Sequence, residues 1–325
     1  MCNESKDFKS IEEQCDVVIK ERKLKTSKFN GEKELKKELS EKNYFDLVNG
    51  LEDIINTGSG NKYYGKYDVF DLISLYNLNS DLGLLIFSVI KKFEIKLKTS
   101  IAYNFTAEYQ NWDCYLDKNN YKLITKNDID EVYLAYNGYS RNYKGSNPKV
   151  NKQKILPFFD KDVFTSLKRR EQFMSAYQNK PPLWIAIKVL SFGQLHLMFS
   201  LLNSKIATEV LKSFNMGSNE RNQFESILYV VNWLRNECAH FEMINHSTYH
   251  GKYPINKELI KKLGFRKNKT RNLNLFQCMC ILNYVQPLKE VVYNLFEKSP
   301  ISSELKRKYL KYIGYWRQSK WKLDY

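Results

Sequence analysis

The sequence lacks the apolar leader and the unbroken apolar run that mark secreted and membrane-spanning chains. Its first ten residues, MCNESKDFKS, contain no apolar segment, so no secretory signal is expected. The most apolar stretches are Leu82–Ile90 and Pro182–Leu202. The first runs directly into Lys91 and Lys92, and the second is interrupted by Lys188, Gln194 and His196. Neither supplies the roughly 20 uninterrupted residues that a bilayer requires, so no membrane association is expected.

Cysteine in metal-binding order is also missing. Cys2, Cys15, Cys114, Cys238, Cys278 and Cys280 are scattered, and the last two are separated by a single residue, a poor zinc spacing. The nearest Cys and His in sequence, Cys238 and His240, lie far upstream of that pair. Free thiols in a reducing cytoplasm are expected, with no metal site. A phosphate loop is absent too. Gly58-Ser59-Gly60 opens the polar stretch GSGNKYYGKY, but no apolar strand leads into it and no Gly-Lys-Ser/Thr follows. No alternating strand runs stand out, and no segment repeats at a fixed period. Negative charge is in deficit: 36 acidic residues face 52 basic ones, a net charge of +16. That excess favours polyanionic partners through long-range attraction and counterion release, and with membrane set aside it points to nucleic acid.

The residues present read as helix. After a charged segment, Lys20–Lys42, comes Tyr44–Ile55. From Asp81 to Tyr109, Leu82, Leu85, Ile86, Val89, Ile90, Phe93, Leu97 and Ile101 recur at three- and four-residue steps, which predicts a long amphipathic helix. Asn137–Asn151 is a polar loop and the best boundary between halves. Helices are expected at Leu183–Leu202, Glu220–His240 and Phe276–Phe296. The fold expected is all-α, in three parts: an N-terminal helical half (1–137), a C-terminal half (152–300) and a basic aromatic tail (301–325). In that tail Lys306, Arg307, Lys308, Lys311 and Arg317 interleave with Tyr309, Tyr312, Tyr315, Trp316 and Trp321. Together with Arg266, Lys267 and Arg271 of the Lys257–Arg271 run, these cations are candidates for RNA contact, with bases stacking on exposed rings. The plainer alternatives are a solvated lysine-rich surface and tyrosines packed in the core.

The chemistry-bearing stretch is VVNWLRNECAHFEMINH, Val230 to His246. At about 100° per residue, Phe224, Ile227, Leu228, Val231, Leu234 and Cys238 form a core stripe, and Asn236 and His240 fall on the opposite side. Arg235 falls beside Leu228 and Val231, where a guanidinium needs an anion or a wet cleft. Arg235 and His240 are five apart and share no face of a regular helix. They converge on one phosphate only if the helix ends or distorts near Cys238, or if a second copy contributes its own pair. Metal-free RNA cleavage suits these residue types. A 2′-hydroxyl must lose a proton as it attacks phosphorus and the leaving 5′-oxygen must gain one, which histidine can serve. Arginine's donor fork meets the charge growing on the phosphate, and Asn236 can hold the imidazole or the phosphate. A helix-terminal histidine favoured by the dipole, and an arginine paired with an internal carboxylate, explain the same residues without function. With four histidines in the chain, no other Arg–His pair has a similar spacing. His196 reads as a core residue. His246 and His250 lie in an expected loop and receive no role, and the acid pairs Glu12-Glu13 and Glu52-Asp53 read as solvated.

Arg235-Asn236-Glu237-Cys238-Ala239-His240 resembles the Arg-Asn-x-Cys-Ala-His signature of the Abi family, abortive-infection proteins of the AbiD/AbiF type within the HEPN superfamily. Asn43 to Gly50, Asp81 through Tyr109 with Glu94 at its middle, and Pro182-Leu183-Trp184-Ile185-Ala186 with Leu190-Ser191-Phe192-Gly193 resemble three further family segments in order. Together they span about Leu35 to His246. The resemblance implies a HEPN-type helical bundle with an N-terminal helical extension, a cytoplasmic setting and phage defence. It further implies a metal-independent endoribonuclease without cofactor, in which Arg235 and His240 are catalytic and Asn236 assists. One motif per chain implies a homodimer or a composite site, and some members pair with a small noncoding RNA. Two positions depart from the family pattern: Met243 and Gly83 stand where members often carry arginine. The alternative is therefore an RNA-binding member, one that forms a ribonucleoprotein and does not cut.

Overall fold

In the computed structural model, residues 8–27, 30–58, 62–117, 120–122, 181–240, 243–251, 254–266, 270–316 and 321–323 are described. The loop expected at Asn137–Asn151 lies outside them.

The architecture is all-α, organised on one 41-residue helix, Val69–Tyr109. It begins twelve residues before the expected start at Asp81. Val69, Leu72, Leu75 and Leu78 extend the apolar stripe backwards, and Asp68 supplies a capping box with Asp71 that accounts for the start. It ends where Gln110 turns left-handed, at φ 53°. At about 1.5 Å per residue this central helix runs about 60 Å, and the helices Gly31–Glu41, Ser204–Lys212, Arg221–Ala239 and Lys289–Lys298 pack along it. Halfway along, Phe93 meets Phe192, Phe214 and Phe224, with ring centroids 6.1, 5.2 and 6.2 Å away. The two halves of the chain thus share one core. The central helix is long and apolar enough to cross a membrane by composition. Here its stripe from Val69 to Phe105 is what the bundle buries.

Two expected helices are each broken in two, for local reasons. The run Leu183–Leu202 divides where Leu190 becomes extended and Ser191 forms a capping box with Gln194, starting Phe192–Leu201 afresh. The run Phe276–Phe296 divides at Gln286, extended before Pro287, into Leu275–Val285 and Lys289–Lys298. Tyr44–Ile55 likewise resolves into two short helices, Tyr44–Leu47 and Glu52–Ile55, joined by a tight turn. A two-stranded antiparallel ladder, β1 (Thr248–His250) on β2 (Asn272–Asn274), was not expected. Three residues per strand are too few for alternation to show in sequence, although Tyr249 and Leu273 do face the core.

The C-terminal stretch folds onto the bundle. Ser303–Tyr312 is a helix against Glu52–Ile55, with Tyr309 fully buried. Tyr315, Trp316 and Trp321 stand edge-on around Phe276 at 5.1, 5.3 and 5.2 Å.

Gly83 lies inside the central helix, and a Cβ built there meets nothing within 4 Å. Gly83→Ala is therefore expected to stabilise the protein by about 0.5–1 kcal/mol, because the unfolded backbone loses freedom and no clash offsets the gain. A raised urea midpoint would show it, and an unchanged or lowered midpoint would refute it.

Candidate nucleic-acid site at the end of the motif helix

Arg221–Ala239 forms the helix that carries the motif. Its start is pinned by Arg221, whose guanidinium donates to the carbonyls of Phe199, Ser200 and Leu202 at 3.2, 3.0 and 2.9 Å. Phe224, Ile227, Leu228, Val231, Leu234 and Cys238 are buried, which is the expected stripe. Burial pushes the Cys238 thiol up to about 12, so this cysteine stays a protonated packing residue.

The helix ends at Ala239, one residue past Cys238, the place where convergence of Arg235 and His240 required an end. His240 has left helical geometry (φ −84°, ψ 1°), and its backbone N–H donates to the Asn236 carbonyl at 3.1 Å. Asn236 and His240 are exposed, as the wheel placed them, and Arg235 is half-buried. The Arg235 Nη1 donates to Asn236 Oδ1 at 3.3 Å. Among the described residues no carboxylate pairs with Arg235, and the adjacent Glu237 instead accepts from Ser247 Oγ at 2.9 Å. The internal ion pair that would explain Arg235 without function is thus absent there. The structure brings Arg235 and Asn236 together, with the His240 imidazole one turn further on.

The chain just downstream of His240 is anchored by groups that sequence reasoning passed over. Asn79, on the core side of the central helix and 2% exposed, accepts from the Asn245 backbone N–H at 3.0 Å and from the Tyr309 hydroxyl at 2.8 Å. Its Nδ2 lies 3.3 Å from the Met243 sulfur. Asn245 Nδ2 donates to the Gly50 carbonyl at 2.9 Å, and His246 Nε2 lies 2.7 Å from the same oxygen. A carbonyl only accepts, so Nε2 carries the proton. The Tyr312 hydroxyl is 2.9 Å from His246 Nδ1 and donates to Asp53 at 3.0 Å. Burial, with the Asp53 carboxylate second, pushes Tyr312 up to about 12. His246 is therefore a fastener, and Asp53 is bonded to tyrosine where a merely solvated acid was expected. Its neighbour Glu52 pairs with Lys62 at 2.6 Å. One signal was available in the sequence: Asn79 is a polar residue on an apolar stripe, between Leu78 and Leu82. Met243, at the position where the family often has arginine, packs against Gly50, with its Cγ and Cε 3.1 Å from where a Cβ would stand.

The candidate RNA-contacting cations divide. Arg307 and Lys311, four apart on Ser303–Tyr312, are exposed, and so are Arg266 and Arg271. Lys306 is buried, its Nζ 3.4 Å from the Glu297 carbonyl. Lys308 is half-buried with its Nζ 5.1 Å from the Tyr67 ring centroid, and desolvation lowers its pKa. Lys267 and Arg317 lie outside the described residues.

His196 is buried and edge-on to Tyr229, 4.3 Å between centroids, as a core residue should be. Desolvation pushes its pKa down from 6.5 to about 4. The unfolded chain therefore takes up a proton that the folded chain refuses. This group's contribution is complete above pH 6.5 and is lost as pH falls towards 4, by about 3 kcal/mol. His196→Leu should flatten the acid side of the stability–pH curve in urea titrations. Parallel curves for the two proteins would refute it.

The fold and site together define a class: an all-helical protein with a single Arg-x-x-x-x-His element at the exposed end of a core helix. The chain belongs to the family described as Abi-like protein, whose family model matches residues 37–245, more than half its length. That membership supports a role in abortive-infection defence against phage. No curated protein and no solved structure gives a significant match to the chain.

Proposed function

We propose that the protein binds RNA and cuts it, as a metal-independent endoribonuclease of the HEPN type acting in the cytoplasm. The observation that carries this reading is Arg235: a half-buried guanidinium without a carboxylate partner among the described residues, beside Asn236 and one turn from an exposed histidine. In this reading the RNA phosphate is the missing anion. His240 exchanges protons with the 2′-hydroxyl or the 5′-oxygen, and Arg235 stabilises the charge gained by the phosphate oxygens. The 2′-oxygen forms the new bond to phosphorus as the bond to the 5′-oxygen breaks, leaving a 2′,3′-cyclic phosphate and a 5′-hydroxyl. One motif per chain makes a homodimer the natural assembly, with the second copy supplying the second Arg–His pair.

A ribonucleoprotein reading, in which a small noncoding RNA is held and not cut, is favoured by one observation. Met243 is packed on Gly50, so no cation from that position reaches the site. Purified wild-type protein decides between the two. Cutting of single-stranded RNA in excess EDTA supports the nuclease. A discrete co-purifying RNA together with no cutting, with or without infection, supports the ribonucleoprotein.

A further inference from the structure

The ring of His246 joins three segments that lie far apart in sequence: the turn at Gly50, the chain just downstream of the motif, and the C-terminal helix Ser303–Tyr312. A chain of three hydrogen bonds runs through it. Nε2 meets the Gly50 carbonyl at 2.7 Å, Nδ1 meets the Tyr312 hydroxyl at 2.9 Å, and that hydroxyl meets Asp53 Oδ2 at 3.0 Å. Each bond needs a proton of its own. The Gly50 oxygen can only accept, so one proton sits on Nε2. Tyr312 owns a single proton and keeps it at neutral pH, because burial and then the Asp53 carboxylate push its hydroxyl up to about 12. That proton is committed to Asp53. The bond at Nδ1 is then made only if Nδ1 donates, and a ring that donates from both nitrogens is an imidazolium. A neutral ring completes two of the three bonds, because the tyrosine proton must choose between Nδ1 and Asp53.

The surroundings suit the charged form. The 2.7 Å contact to Gly50 is shorter than the roughly 2.9–3.0 Å of neutral N–H donors and falls where cationic donors do. His246 and Asp53 are both exposed, so neither charge loses much hydration. Asp53 is also the carboxylate left for the ring, since Glu52 is paired with Lys62 at 2.6 Å and Glu304 with Lys66 at 2.6 Å. Of the cations on the C-terminal helix, Lys306 is buried with its Nζ 3.4 Å from the Glu297 carbonyl, and the Lys308 ammonium lies over the Tyr67 ring at 5.1 Å. Arg307 and Lys311 are exposed. The central helix contributes Asn79, which is neutral.

We propose that His246 is a positioning residue that works as an imidazolium, clamping the segment after His240 to Gly50 and, through Tyr312, to the Asp53 carboxylate. Loss of one ring proton breaks one bond of the chain. The clamp is therefore complete while the ring is charged and slackens as the pH rises through the range, about 5 to 8, in which histidine changes charge. The effect on cutting rests on the nuclease reading above; the protonation of the ring does not. Nitrogen NMR of the full chain, labelled at its four histidines, reads the ring directly. At neutral pH the signals that His246→Gln removes should come from two protonated ring nitrogens. Asp53→Asn, at an exposed position, and Tyr312→Phe should each return that ring mostly to one proton at the same pH. Amide exchange gives a second readout at the Asn245 N–H, which Asn79 holds. Asp53→Asn should speed its exchange over the wild type by roughly 2- to 12-fold at neutral pH, the worth of one ordinary hydrogen bond, and by much less at alkaline pH, where the wild-type ring is neutral too. The same acceleration at every pH would give Asp53 a merely structural role and overturn the proposal. A wild-type ring with one bare nitrogen at neutral pH overturns it as well, and so does a doubly protonated ring that both variants keep. A ring that behaves as expected in a protein that never cuts RNA supports the clamp and overturns the nuclease reading alone.

Discussion

His240→Ala is expected to slow RNA cleavage by about 10²- to 10⁴-fold, the usual range for losing a general acid or base. Folding should hardly change, because the imidazole is exposed and the bond that closes the helix there comes from the backbone N–H of residue 240. Arg235→Ala should cost about 10²- to 10³-fold through lost charge stabilisation. Arg235→Lys should not restore the rate, because a point charge cannot reproduce the planar fork that meets two phosphate oxygens. Residues that act as a unit are not additive, so the double variant should be little worse than the poorer single one. RNA affinity separates cutting from gripping. If His240→Ala binds as the wild type does but does not cut, the histidine works on protons. If it cuts at the wild-type rate, His240 is an ordinary helix-terminal residue and the assignment is wrong.

Asn79→Ala should be the most damaging substitution for stability outside the apolar core. It removes the acceptor for the Asn245 N–H and for the Tyr309 hydroxyl, and both donors remain in a buried place. Each orphaned donor costs about 1–3 kcal/mol, so a loss of about 3–5 kcal/mol is expected with the void included. Tyr309→Phe removes one donor together with its demand on Asn79 and should cost only about 1 kcal/mol. Urea titrations monitored by tryptophan fluorescence would give both values. A cost below about 1 kcal/mol for Asn79→Ala would mean that water serves the two donors as well as the asparagine does. The substitution should also lower cleavage beyond what unfolding explains, since the knot fixes the chain just downstream of His240.

The periodic stripes made much of this legible in advance. Phe224 to Cys238 are buried in the expected register, as is the Leu82 to Ile101 stripe apart from the half-buried Leu85, because a 3.6-residue period leaves few ways to hide that many apolar side chains. The signature at Arg235–His240 was visible as well, and its Asn236 and His240 fell on the expected exposed side. The breaks were hidden. Ser191 with Gln194 and Gln286 before Pro287 are local punctuation inside runs whose apolar pattern continues across them. The fastening of the motif was hidden more deeply. Gly50, Asn79, Asn245 and Tyr309 are far apart in sequence, and only the packing of the central helix brings them together. His246 shows the limit clearly: a loop histidine by pattern, it is tied by both ring nitrogens to segments on either side of the motif.

The most direct test of the account is the chemistry of the cut ends. Purified wild-type protein is incubated with end-labelled single-stranded RNA in excess EDTA, alongside His240→Ala. Fragments ending in a 2′,3′-cyclic phosphate and beginning with a 5′-hydroxyl are expected, made by the wild type and nearly absent with the variant. Fragments with 3′-hydroxyl and 5′-phosphate ends, or equal cutting by both proteins, would contradict it.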